Sequence, residues 1–202
     1  MDSPKSGIVR LRGAPRGNGR LSFFVGFLKR PALVGSAVPS SRFLERRIVE
    51  SAGVRQARSV VELGPGTGGT TRALLRALPP EGRLLAIEIN RDFARPLAKL
   101  DDPRLQIFWG SAADIRRALE AACLASPEIV VSGIPFSTIP PETGRRILRE
   151  VWDCLAPGGR FVSYQLMSRV ARLAPELLGP PRVRLEPLNL PPLRVYLWRK
   201  PA

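Results

Sequence analysis

The feature that most constrains this fold is an apolar strand that runs directly into a glycine-rich turn, Val60-Val-Glu-Leu-Gly-Pro-Gly-Thr-Gly68, with a helical pattern starting at Thr70. Glycines permit the tight strand-to-helix turn, and their missing side chains let a ligand approach the main chain. The same alternation then repeats. Strand patterns at Val60–Leu63, Arg83–Ile89 and Leu105–Trp109 are each followed by a helical one, at Thr70–Leu78, Arg91–Leu100 and Asp114–Cys123. Three βα units in succession imply a parallel sheet, because parallel neighbours are joined only by crossovers. Ile129–Val131 predicts a fourth strand, Glu142–Cys154 a helix and Gly159–Gln165 a fifth strand. Residues 183–199, two strand-like stretches around Pro191-Pro192, predict a hairpin. The expected architecture is α/β: a mostly parallel seven-stranded sheet flanked by helices, closed by a C-terminal β-hairpin.

A chain of 202 residues suits one such domain with terminal extensions. Residues 1–19, rich in Gly, Pro, Arg and Ser, read as a flexible basic tail, residues 20–58 as N-terminal amphipathic helices, and residues 59–202 as the domain. In Leu21–Arg30, Leu21, Phe23, Phe24, Val25, Phe27 and Leu28 fall on one half of a helical wheel, and Pro31 ends the pattern. A second helix is expected from a Ser40 or Ser41 cap to Ala52, with Leu44, Ile48 and Ala52 on one face. The formal charge of +15 is uneven. Residues 1–58 hold twelve Lys and Arg against three acids, and 169–202 seven against two, whereas 59–168 hold thirteen against twelve. Such basic ends suit an anionic partner, nucleic acid or membrane, and leave the central domain near neutral. The longest apolar run, Leu21–Leu28, is far below the ~20 residues that span a bilayer. Cys123 and Cys154 have no metal-ligand spacing, so buried apolar roles and no bound metal are expected.

The glycines Gly64, Gly66 and Gly69 fit the G-x-G-x-x-G of dinucleotide sites, a weak signal alone. Glu62 is more discriminating. A carboxylate two residues before the first glycine would repel a pyrophosphate, whereas it suits the methionyl ammonium of S-adenosylmethionine. That assigns the cofactor loop to Glu62, Gly64, Pro65, Gly66, Thr67 and Gly68. Glu88, followed by Ile89 at the end of the second strand, is placed to accept hydrogen bonds from both ribose hydroxyls. Asp114, after Ala113, is placed to cap the next helix or to accept from the adenine amino group.

Taken together, ELGPGTG (62–68), AIEIN (86–90), GSAAD (110–114) and LAPGGRF (155–161) resemble the class I S-adenosylmethionine-dependent methyltransferases over residues 59–165. That resemblance implies a Rossmann-like fold. Within the superfamily, SGIPFSTIP (132–140) and FLKRPALVGSAVPSS (27–41) look like the bacterial phospholipid N-methyltransferases, which convert phosphatidylethanolamine to phosphatidylcholine. Similar enzymes methylate ornithine lipids. The resemblance implies an acceptor site at Ser132, Ile134, Pro135 and Phe136. The ribosomal RNA adenine dimethyltransferases carry Asn-Leu-Pro-Tyr where this chain has Gly133, Ile134, Pro135 and Phe136, so the polar contact for adenine is missing. Nucleic acid is therefore the less favoured partner.

An alkyl ammonium has a pKa of about 10.4 and must lose its proton before it can attack. The chain has no histidine. Tyr164, an acidic residue or water is left as acceptor of that proton. Residues Arg20, Leu21, Phe24, Val25, Leu28, Lys29 and Arg30 are expected to bind an anionic phospholipid surface as an interfacial helix. This would place the protein on the inner face of the cytoplasmic membrane, with a lipid amine as substrate.

Overall fold

The computed structural model of the chain describes residues 10–12 and 40–202. The interfacial helix expected over residues 21–30, and with it Arg20, Leu21, Phe24, Val25, Leu28, Lys29 and Arg30, lies outside them. Strands β1 (Arg10–Arg12), β2 (Ser59–Leu63), β3 (Arg83–Glu88), β4 (Leu105–Trp109), β5 (Ile129–Ser132), β6 (Arg160–Gln165), β7 (Arg182–Glu186) and β8 (Leu193–Arg199) form one sheet of order β1-β4-β3-β2-β5-β6-β8-β7. Strands β2 to β6 pair in parallel, and β8 is antiparallel to both β6 and β7. These seven strands are the expected Rossmann-like sheet with its closing hairpin. The eighth, β1, pairs in parallel with β4 at the sheet edge, within the stretch read from sequence as a tail.

The helices are α1 (Arg42–Ala52), α2 (Gly69–Ala77), α3 (Ala94–Ala98), α4 (Ile115–Ala121), α5 (Pro141–Cys154), α6 (Arg169–Leu173) and α7 (Pro175–Leu178). Side-chain alternation on β2 divides the core. Val61 and Leu63 join Leu85, Ile87, Val130 and Phe161 under α4 and α5. Val60 joins Leu84, Ala86, Val131 and Val162 under α1 and α2. A period of two lets each central strand feed both layers, which is why these strands read as continuous apolar runs.

Helix α1 begins where its cap was expected. Ser41 accepts from the Leu44 N–H at 3.2 Å, and Gly53, at φ 72°, closes the other end by donating to the Val49 carbonyl. Leu44, Ile48 and Ala52 are buried in the layer shared with α2. The cysteine expectation holds for one residue only. Cys154 is buried, but α4 ends at Ala121 and Cys123 stands exposed at φ 52°, because the chain there turns back toward β5.

The topology fixes the site. From β2 the chain winds outward through β3 and β4, then crosses back to β5 on the other side of β2. A ligand crevice forms at such a switch point, outside the carboxyl ends of the strands.

Candidate active site at the carboxyl ends of the strands

Two loops meet at this switch point. One leaves β2 as Gly64–Gly68, and the other leaves β5 as Gly133–Pro140. A Cβ at Gly64 would stand 3.3 Å from Ile134 Cγ1, so the absence of a side chain lets the loops touch. Gly64, Gly66 and Gly68 all have positive φ, 73°, 55° and 83°, which a residue with a Cβ adopts only under strain. Nothing lies within 4 Å of the place a Cβ would occupy on Gly66, leaving open space over the turn. Pro65 accepts from the Gly68 N–H at 2.9 Å, and Thr67 is exposed at the loop tip.

Glu62 sits on β2 beneath this loop with no accessible surface. Burial pushes its carboxyl up to about 8, and the charge of Glu88 adds to the effect. The nearby Thr71 hydroxyl offsets this in part, yet neither it nor either Glu62 oxygen makes a hydrogen bond of full geometry. A buried carboxyl with two unmatched oxygens is costly. A cationic or hydrogen-bonding ligand that reached it would remove that cost, and such contact needs a local opening of the cover over Glu62.

Glu88, at the end of β3, is committed differently. Its Oε2 accepts from the Gly66 N–H at 3.0 Å and its Oε1 from the Asn90 N–H at 2.7 Å. Burial raises its pKa, and the Asn90, Gly66 and Ile89 N–H groups work against that rise. The carboxylate therefore shapes the glycine turn from below, and only its remaining lone pairs are left for a ligand. Ile89 is half-buried beside it.

Beyond β4, Ser111 caps a 3-10 turn over Ala112–Asp114 by accepting from the Ala113 N–H at 3.2 Å, and Asp114 stands at the N-cap position of α4. Asp114 makes no capping bond. It is partly exposed, with Arg146 at 3.7 Å, so its carboxylate remains available to a ligand. Ala113 is buried in the core below it.

The acceptor loop differs from expectation at several residues. Phe136 has no exposure and packs in the core with Ile139 and Leu173, so it supports the loop from beneath and does not line its surface. Ser132 is also fully buried, its hydroxyl accepting from the Ile134 N–H at 3.3 Å. Ile134 is buried against Gly64, and Pro135 is half-buried with its carbonyl accepting from Thr138 N–H and Oγ1–H. Gln165, which sequence reasoning passed over, holds the segment. Its Oε1 accepts from the Phe136 N–H at 3.2 Å, and its Nε2 donates to the Ile134 carbonyl at 2.7 Å and to Ser163 Oγ at 3.0 Å. A buried amide at a strand end was the only available signal.

Tyr164 lies against this loop from the other side. A Cβ on Gly133 would collide with the Tyr164 hydroxyl, which also shares a hydrogen bond with Thr70 Oγ1 at 3.2 Å. Burial pushes the phenol well above its ordinary range, and the charge of Glu62 pushes it further. Held protonated in this way, with its hydroxyl engaged by Thr70, the phenol is a poor proton acceptor near neutral pH.

A model of the methyltransferase domain family matches residues 60–159. The ornithine lipid N-methyltransferase of Singulisphaera acidiphila is 33% identical over 180 residues, covering 87% of this chain and 94% of that protein. The chain belongs to the class I S-adenosylmethionine-dependent methyltransferases. The ribosomal RNA small subunit methyltransferase A of Laribacter hongkongensis is 38% identical over 102 residues, or 49% of this chain and 36% of that protein. Among solved structures, the O-methyltransferase TomG of Streptomyces achromogenes, in complex with S-adenosylmethionine, superposes with a TM-score of 0.65 at 20% identity, covering 92% of this chain and 100% of that one. Membership of that class makes S-adenosylmethionine the cofactor. The residues present fit it: Glu62 offers a buried, unmatched carboxyl for its cationic end, the Gly64–Gly68 turn an open main-chain surface, and Glu88 and Asp114 acceptors for its hydroxyl and amino groups.

Proposed function

We propose that the chain N-methylates the amine headgroup of a membrane lipid. The observation that carries this reading is the similarity to an ornithine lipid N-methyltransferase over nearly the full length of both chains. It favours ornithine lipid, and the SGIPFSTIP motif keeps phosphatidylethanolamine and its partly methylated forms as the second substrate. The RNA reading is weaker, because this chain spans about a third of the ribosomal RNA relative and has Gly133 where an adenine-binding side chain would stand.

Chemically, S-adenosylmethionine supplies an electrophilic methyl group, and the protein's task is to align a neutral amine with it and exclude water. The Ile134–Phe136 segment, fixed by Gln165 and pressed against Gly64, keeps the acceptor side of the crevice rigid beside the cofactor loop. With Tyr164 held protonated, the ammonium proton leaves to water or to an acidic residue as the amine enters the crevice. On this reading the protein works as a peripheral enzyme on the inner membrane face, with residues 20–30 as one anchor. Among the described residues no helix is long and apolar enough to cross a membrane.

The test is methyl transfer from radiolabelled S-adenosylmethionine to three acceptors in parallel: vesicles with ornithine lipid, vesicles with phosphatidylethanolamine, and small-subunit ribosomal RNA. Label in extracted lipid and none in RNA is expected. Label in RNA alone overturns the proposal.

A further inference from the structure

The loop joining β7 to β8 has an inverted polarity. Its polar side chains, Glu186 and Asn189, are buried at 2% and 4% exposure, while Leu188 and Leu190 stand out at 61% and 81%. The inward groups are fully engaged. Glu186 Oε2 accepts from Arg47 Nε at 2.6 Å and its Oε1 from the Leu188 N–H at 3.0 Å. Asn189 Oδ1 accepts from the Ser41 N–H at 2.9 Å, and its Nδ2 donates to the Pro191 carbonyl at 2.8 Å. The leucines are therefore held outward by a built framework. Large apolar side chains held in water in this way mark a binding surface.

The register places this loop beside the active site. Gln165, which clamps the acceptor loop, pairs with Arg194, and Glu186 pairs with Leu193. The loop thus sits at the same sheet end as the switch point. Leu166 and Met167, immediately after Gln165, are 41% and 57% exposed, and Leu185 at the end of β7 is 53% exposed. Charge borders the patch. Arg184 and Arg194 on the hairpin are exposed, and the hairpin's one acid, Glu186, is neutralised by Arg47.

We propose that this hairpin end is a docking surface for an anionic lipid bilayer, which seats the active-site end of the sheet on the membrane. The proposal rests on the reading of the acceptor as a membrane lipid. Leucines that enter the acyl boundary, fringed by arginines at phosphate level, form the pattern an interface selects. A second copy of this chain would bring its own Arg184 and Arg194 against these and is opposed by that repulsion. RNA would find leucines where stacking needs aromatic rings.

The full chain should sediment with vesicles containing phosphatidylglycerol and much less with pure phosphatidylcholine. Leu188→Asp with Leu190→Asp should lower the bound fraction at phosphatidylglycerol vesicles at least ten-fold, with unchanged Tm and S-adenosylmethionine affinity. Leu190→Asp alone, at a side chain too exposed to matter for folding, should lower it several-fold, and Arg184→Gln with Arg194→Gln should flatten its salt dependence. The proposal is overturned if these variants sediment like the parent, if only changes within residues 21–30 release the protein, or if light scattering shows a dimer that Leu190→Asp dissociates. The two readings fail separately. Vesicle binding through the hairpin without lipid methylation removes the substrate and keeps the surface, whereas lipid methylation with unaffected hairpin variants does the reverse.

Discussion

Replacing Glu62 with glutamine should stabilise the ligand-free protein while weakening its hold on S-adenosylmethionine. Burial holds this carboxyl at about 8, against an ordinary value of 4.5. Between those values the folded state keeps a proton that the unfolded chain has released, so its contribution is intact below pH 4.5 and is lost as pH rises toward 8. At about 1.36 kcal/mol per pH unit the full loss is about 5 kcal/mol, with about 3 kcal/mol already gone at pH 7. Glu62→Gln keeps the shape and removes the titration. Against the cost of burying an unmatched amide, roughly 1–3 kcal/mol, the net gain is small at pH 7 and larger at pH 9. The cofactor's cationic end, however, loses a charge-assisted partner worth about 1.5–3 kcal/mol, so affinity should fall roughly 10- to 100-fold. Wild-type affinity should rise with pH up to about 8, because binding requires the ionised form. Urea unfolding of both proteins at pH 5, 7 and 9, with calorimetric titration of cofactor over the same range, measures each effect. Parallel stability curves, or equal affinities, would refute the reasoning.

Three other changes probe the loops. Glu88→Ala strands the Gly66 and Asn90 N–H groups, and should cost roughly 2–4 kcal/mol in urea unfolding together with at least ten-fold in cofactor affinity by calorimetry. Gln165→Leu leaves the Phe136 N–H and Ile134 carbonyl unmatched; steady-state kinetics should show kcat reduced at least ten-fold while cofactor Kd changes less than three-fold. Gly133→Ala should lower Tm by several degrees through its clash with the Tyr164 ring and hydroxyl, and Tyr164→Phe should restore part of that loss while itself leaving the pH profile of methyl transfer unchanged.

The alternation of strands and helices was legible because each central strand buries both faces and each helix buries one, so periodicity carried the architecture. The cofactor loop was legible for a local reason: glycine and acid types at fixed offsets have few other uses. What escaped the sequence depends on directions no period encodes. Phe136 follows a strand and lies in a loop, where nothing sets which side a ring takes, and it turned into the core. The spacing that pointed Glu88 at a ribose carried no sign that its carboxylate also accepts from the Gly66 and Asn90 N–H groups. Gln165 looked like one more strand residue until the β5 loop folded over it. Arg10–Arg12 gave no apolar signal for a strand, since edge pairing with β4 uses main-chain groups. The inversion of Glu186 and Leu188 depends on Arg47, 139 positions away.

On the proposed function, the Glu62–Glu88 site moves a methyl group from S-adenosylmethionine to a lipid nitrogen. The most direct measurement is mass spectrometry of lipids after incubation of the full chain with methyl-labelled cofactor and vesicles that carry both ornithine lipid and phosphatidylethanolamine. The expected product is aminolipid heavier by one or more labelled methyl groups on the headgroup nitrogen, reduced at least ten-fold for Glu88→Ala at limiting cofactor. Unmodified lipid from a protein that binds the cofactor, or equal product from that variant, would contradict that function.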